Sequence, residues 1–169
     1  MMILRELFVV NLIIYGFAFV FNAPLKSLPK AGLGGSVGWL VFLMTQHLTD
    51  SMIISTFTGT LMIALLGDLF TTQDRKPLTV FIVPGIVPFV PGFGIYNTML
   101  AVVEQDYAMA VHHGTNTFFV GLAIALALTI MLSINNYRKT KKTAKTIIPK
   151  RSVLSHALQD DDHEQLSGE

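Results

Sequence analysis

The chain has no cysteine, which excludes disulfides, thiolate metal sites and cysteine nucleophiles. Charge is nearly as scarce. Asp, Glu, Lys and Arg make up 14% of the 169 residues, against roughly 25% in soluble domains. Eleven of the charged residues precede Arg138 and the remaining twelve follow from it, so almost all of the body is uncharged. A body this poor in charge cannot cover a water-facing surface, and its place is a bilayer. Catalytic signatures are missing too: there is no Walker A lysine, no H-E-x-x-H, no G-x-S-x-G and no intramembrane aspartate pair. The sequence therefore names no catalytic residue, cofactor or metal site, and an enzyme is not expected.

What is present is apolar. Hydrophobic residues account for 51% of the chain and mean hydropathy is +0.56. A helix needs roughly 20 residues to cross the hydrocarbon core, and five segments qualify: Met2 to Phe21, Ala31 to His47, Ser51 to Phe70, Leu78 to Val103 and Asn116 to Ile134. The first resembles a signal peptide in position only. It carries a single Arg5 and no small-x-small cleavage site near Ala23, and it reads as a span. The expected fold is an all-α integral membrane protein of about five spans over 1–137, followed by a charged tail over 138–169.

Orientation follows from the positive-inside rule. With an odd number of spans and a cytoplasmic basic tail, Lys26, Lys30, Arg75 and Lys76 also face the cytoplasm. The turn at Thr49–Asp50 and the loop from Glu104 to Gly114 face out and contain no Lys or Arg. Only Arg5 breaks the pattern, so the amino terminus is expected outside. The tail begins with a basic run (Arg138, Lys139, Lys141, Lys142, Lys145, Lys150, Arg151) suited to anionic lipid headgroups rather than to nucleic acid. It ends in an acidic, solvated stretch around Asp160, Asp161, Asp162, His163 and Glu164, which has the composition of a disordered segment. A metal reading of those acidic residues is the alternative.

The fourth span is the most informative. Pro84, Pro88 and Pro91 each remove a backbone donor, and Gly85, Gly92 and Gly94 allow positive φ or close backbone approach. Broken backbone at membrane depth survives only where it is buried in protein or lines a polar cavity, and transporters build substrate sites from such spans. Unwinding from Val90 to Gly94 and restarting at Ile95 would aim free amides at a carboxylate. Tyr96 and Asn97 would then lie in the first turn. Pro91, Gly92, Gly94, Tyr96 and Asn97 are thus the candidate substrate-binding residues. The alternative is a kinked helix that packs through its glycines.

Other polar residues offer less. Asp68 is the acidic residue well inside a span and is a proton-coupling candidate, or else reaches the nearby interface. Glu104 and Asp106 share the outer loop with His112 and His113, where proton relay competes with simple solvation. Gln46 and His47 read as interfacial. Asn11, Asn22 and Asn116 are expected to hydrogen-bond between helices, with Asn116 also able to line a pathway. Gly34 with Gly38, and Ser55, Gly59, Ile63 and Gly67, form small-residue faces for tight helix contacts, internal or with a partner.

The motifs Phe21-Asn22-Ala23-Pro24 and Leu28-Pro29, followed by the glycine-rich second span, resemble the start of the short subunit of the threonine/serine exporter family. Pro84-Gly85, Pro88, Val90-Pro91-Gly92, Tyr96, Leu100 and the Glu104 to Asp106 turn resemble that family's second signature. The resemblance runs from about Leu7 to Leu132. It implies a multi-pass protein of the cytoplasmic membrane that works with a longer partner subunit. The implied cargo is a small polar metabolite, threonine and serine in some systems and dicarboxylates such as succinate in others, with export driven by an ion gradient. The charged tail departs from the family pattern. The rival reading is a non-transporting scaffold that recruits another membrane complex through its small-residue faces.

Overall fold

The computed structural model describes residues 2–135; the basic and acidic segments of the tail lie outside the described residues. The helices are α1 (Met2–Val20), α2 (Leu28–Thr49), α3 (Met52–Asp74), α4 (Thr79–Ile86), α5 (Gly92–Val103) and α6, described over Tyr107–Asn135. Short 3-10 turns occupy Leu25–Ser27 and Val87–Phe89. No strand occurs among the described residues.

Three helices are long and apolar enough to cross a membrane: α1, α3 and α6. A fourth span is available if α4, the Val87–Phe89 turn and α5 are taken as one crossing, bent by 42°. The glycine-rich helix α2 has 22 residues, about 33 Å at 1.5 Å per residue, but Lys30, Pro29 and its glycines dilute its hydropathy. The described body is thus an all-helical, multi-pass membrane protein with three to four spans evident, against the five expected.

The packing has the polarity of a membrane bundle. On α3 the buried face consists of Ser55, Thr56, Gly59, Thr60, Ile63, Ala64, Gly67 and Asp68, spaced by three to four residues. Ile54, Leu65 and Leu69 are exposed on the same helix. Lipid rewards no burial of leucine, so small and polar residues that allow close approach go inward. The small-residue faces make contacts within the chain. Gly38 on α2 receives the Ile63 side chain and faces the Gly59 carbonyl, and Gly59 in turn receives the Phe89 ring. Gly32 receives Tyr15, and Gly35 receives Ile14, a fully buried residue of α1. α2 is therefore central, with α1, α3 and α4 packed around it.

Polar side chains tie the same elements together. Asn11 Nδ2 donates to Ser36 Oγ at 2.6 Å, the interhelical bond expected of that asparagine. At the amino-terminal end of α2, Lys30 pairs with Asp74, and Lys76 Nζ donates to the buried Ser27 Oγ at 2.7 Å. The four basic residues assigned to the cytoplasmic loops thus sit around one end of the α2–α3 pair.

The helix ends decide between the two roles open to the glycines. No described glycine has positive φ; that conformation falls on Asn22, Asp50, Arg75 and Gln105, at the ends of α1, α2, α3 and α5. Gly85 and Gly94 consequently act through their small size, against Ile63 and Thr117, whereas a Cβ at Gly92 would meet nothing within 4 Å. A non-glycine residue in the left-handed region costs roughly 1–2 kcal/mol, partly offset by the greater freedom glycine has when unfolded. Gln105→Gly (native φ 61) is accordingly expected to stabilise the protein by roughly 0.5–1 kcal/mol, read as a raised melting temperature in detergent. A lowered one would mean that the Gln105 side chain matters more than its backbone.

Candidate functional site

The break in the fourth segment is short and sharply defined. Pro84 is accommodated inside α4, and Pro88 lies within the Val87–Phe89 turn. Val90 is then extended (φ −61, ψ 126) and Pro91 turns the chain with ψ 56. α5 restarts at Gly92, three residues before the expected Ile95. The reason is that a proline before a helix loses no intrahelical donor, while its carbonyl can still accept the first bond, from Ile95 N–H at 3.1 Å. Gly92 N–H donates to Val90 O at 2.7 Å, and the amides of Phe93 and Gly94 are left without a partner. A new helix amino terminus with two free donors is thus formed, as the proline and glycine pattern implied.

A cavity of about 380 Å³ lies against this break, at the smaller end of ligand pockets, which run about 300–1,000 Å³. The break and the start of α5 contribute Pro88 to Gly94 and Asn97. α2 contributes Trp39 and Phe42, α3 contributes Met52 and Thr56, and α6 contributes His113, Asn116, Thr117 and Val120. Phe89 presents edge contacts to Trp39 and Phe42, each at 5.6 Å between centroids, and those two rings stack at 5.0 Å. One wall is therefore aromatic. Gly94 lies so close to Thr117 that a methyl group there would overlap its hydroxyl, which bonds instead to the His113 carbonyl at 2.7 Å. No Asp, Glu, Lys or Arg lines the cavity.

Four of the five expected binding residues, Pro91, Gly92, Gly94 and Asn97, line this cavity together. Tyr96 does not line it; the side chain is 62% exposed, and the earlier helix restart puts it in the second turn. Asp68 is buried on α3 but lies away from the cavity, about 18 Å along the helix from Thr56. Glu104 and Asp106 are exposed in the turn between α5 and α6, and Asp106 Oδ1 accepts the Met109 amide at 3.0 Å. That cap explains why α6 begins at Tyr107 rather than near Asn116, since aspartate is a favoured residue at this position. His112 and His113 accordingly belong to a helix and not to a loop, with rings 5.6 Å apart, and only His113 lines the cavity. Among the described residues no three His, Cys, Asp or Glu side chains converge as metal ligands would.

Asn116, expected to pack or to line a pathway, lines the cavity beside Thr117, while Trp39, Phe42, Met52 and Thr56 reach the site from α2 and α3 without having been expected there. The one available signal was Trp39, the single tryptophan of the chain, set amid the glycines of α2.

The chain is 29% identical over 98 residues to an uncharacterized protein of Haemophilus influenzae (strain ATCC 51907 / DSM 11121 / KW20 / Rd), a match that covers 58% of this chain and 31% of that one. The chain thus spans less than a third of the length of this relative. No solved structure matches it significantly. The family described as Threonine/Serine exporter, ThrE, a family of exporters and not of enzymes, matches residues 6–134. That match takes in most or all of each of the six helices and every residue lining the cavity, and the chain belongs to this family.

Proposed function

We propose that this protein is the small membrane subunit of a heteromeric secondary exporter in the cytoplasmic membrane, and that its cargo binds at the broken fourth segment. The observation that carries this reading is the cavity, in which free amides of the restarted helix and uncharged polar side chains meet an aromatic wall. Free amides at a helix start suit a carboxylate. The lining holds no lysine or arginine to balance a second negative charge. The site therefore favours a small zwitterion of the threonine or serine kind over a dicarboxylate such as succinate.

The reading includes five spans, with α2 as the least apolar, the amino terminus outside and the basic tail inside. A bundle of this size is small for a complete transporter, many of which are built from two repeats. A longer subunit supplies the missing part. The far greater length of the Haemophilus influenzae relative is consistent with a larger whole. Asp68, buried where α3 approaches the basic cluster, is the first candidate for coupling to an ion gradient; Glu104 and Asp106, both exposed, come after it.

Efflux of labelled threonine and of labelled succinate from loaded cells tests this directly. It is measured in the native host, in a strain deleted for this chain, and in a foreign host given the chain with and without its longer partner. Threonine efflux that falls on deletion and returns only with both subunits is expected. Faster loss of succinate would reverse the substrate assignment. Unchanged efflux of both, with the protein confirmed in the membrane, would favour the scaffold.

A further inference from the structure

Thr56 stands out among the residues lining the cavity. It is 1% exposed, and its hydroxyl makes no hydrogen bond with any protein atom, although Ser55, Thr58 and Thr72 on the same helix all bond back to their own backbone. Four described side chains have a polar atom both unpartnered and sealed from solvent: Trp39, Gln46, Thr60 and Thr71. The Thr56 oxygen is not among these sealed atoms, and Thr56 lines the cavity. A buried hydroxyl without a bond costs roughly 1–3 kcal/mol. Thr60 and Thr71 on the same helix are also without a bond, but of these three hydroxyl side chains only Thr56 lines the cavity.

We propose that Thr56 is a ligand-binding residue of the cavity, its hydroxyl bonding to a small zwitterionic ligand whose carboxylate is held by the Phe93 and Gly94 amides. This rests on the export reading above. The two groups come from different helices, α3 and α5, and meet only at the cavity. A hydroxyl both donates and accepts, so it can serve a carboxylate oxygen or an ammonium without burying a charge of its own. The site then recognises a neutral molecule with neutral groups. Thr56 would act on affinity, with the amides fixing orientation.

This arrangement separates binding from folding. Thr56→Val keeps the shape and removes an unsatisfied polar group, so the ligand-free protein should melt at the wild-type temperature or above it. The same change should raise KM for threonine efflux about tenfold, the scale of one lost hydrogen bond to a charged group. Thr56→Ser should restore KM to near the wild-type value. The experiment replaces the native copy with Thr56→Val, Thr56→Ser or Gly92→Phe, the last as a block of the cavity itself. For each strain, threonine efflux and the melting temperature of the purified full-length protein are measured, the latter with and without threonine. The expected result is a raised KM and a lost threonine-dependent melting shift in Thr56→Val, at undiminished basal stability. A wild-type KM in Thr56→Val, with efflux blocked in Gly92→Phe, would overturn the role of Thr56 and leave the cavity in place. Reduced efflux together with a lowered melting temperature would make Thr56 a packing residue, and would also overturn it. Wild-type efflux in all three strains would remove the cavity from the export pathway, and both readings with it.

Discussion

Gly59→Leu is expected to prevent the bundle from accumulating in a folded form, and Gly59→Ala to cost about 1–3 kcal/mol. Gly59 lies where α3 packs against the backbone of α2 at Gly38. A Cβ there would stand 2.6 Å from Phe89 Cε1, 3.0 Å from the Gly38 carbonyl oxygen and 3.1 Å from Phe42 Cβ. The ring could rotate aside, but the carbonyl belongs to the backbone of α2 and can withdraw only if that whole helix moves. Because α2 also holds α1 and α4, the displacement would spread through the bundle. Gly16, where an added Cβ meets nothing within 4 Å, provides the comparison, and Gly16→Leu should be neutral. Membrane abundance and melting temperature in detergent report the outcome. A Gly59→Leu protein with wild-type values of both would show that the α2–α3 contact does not hold the fold together.

Gly92→Phe should have the opposite profile, with function lost and folding kept. Gly92 lines the cavity, and an added Cβ there also meets nothing within 4 Å. A phenyl ring can therefore occupy the cavity without first displacing a neighbour. Its bulk is a large part of a pocket of about 380 Å³. Threonine efflux should fall to about a tenth of the wild-type rate or less, because a ligand pocket must bury most of its ligand, while the melting temperature stays unchanged. Gly94→Phe, two residues on, should fail at folding instead, since Gly94 already touches Thr117. Rapid efflux by a stable Gly92→Phe protein would place the cargo elsewhere.

The contrast between these glycines marks how far the sequence could be read. Clustered glycines and prolines announced a broken segment beside a cavity, and Pro91, Gly92, Gly94 and Asn97 do meet there. Gly34, Gly38 and Gly59 announced close helix contacts, and Gly38 and Gly59 face one another. Both patterns are local, produced by backbone chemistry within a turn or two. The helix restarts at Gly92 and not at Ile95 because a proline directly before a helix permits its start. Tyr96 then falls on the exposed side of α5, while its neighbour Asn97 lines the cavity. The start of α6 was misplaced because His112 and His113 resemble loop residues, and the capping role of Asp106 outweighs their polarity. Phe42 and Thr56 were invisible for a different reason. Their place at the site depends on which faces of α2 and α3 turn toward the break, a property of the assembled bundle that neither helix encodes alone. Span counting met a similar limit on α2, whose glycines reduce hydropathy for the same reason that they let it pack at the centre.

The aromatic wall also has a bearing on hydration. Trp39 Nε1 and Thr60 Oγ1, the latter one turn along α3 from Thr56, are sealed and unbonded. Each represents roughly 1–3 kcal/mol of unrelieved desolvation, relieved as soon as water reaches it. Phe89 packs on Trp39 and over Gly59. A movement of that ring that lets water reach Trp39 Nε1 is thus rewarded by the wetting of a polar group. The dry interior is the less comfortable one, and what keeps it dry is the packing of three rings, with no ionic latch lining the cavity.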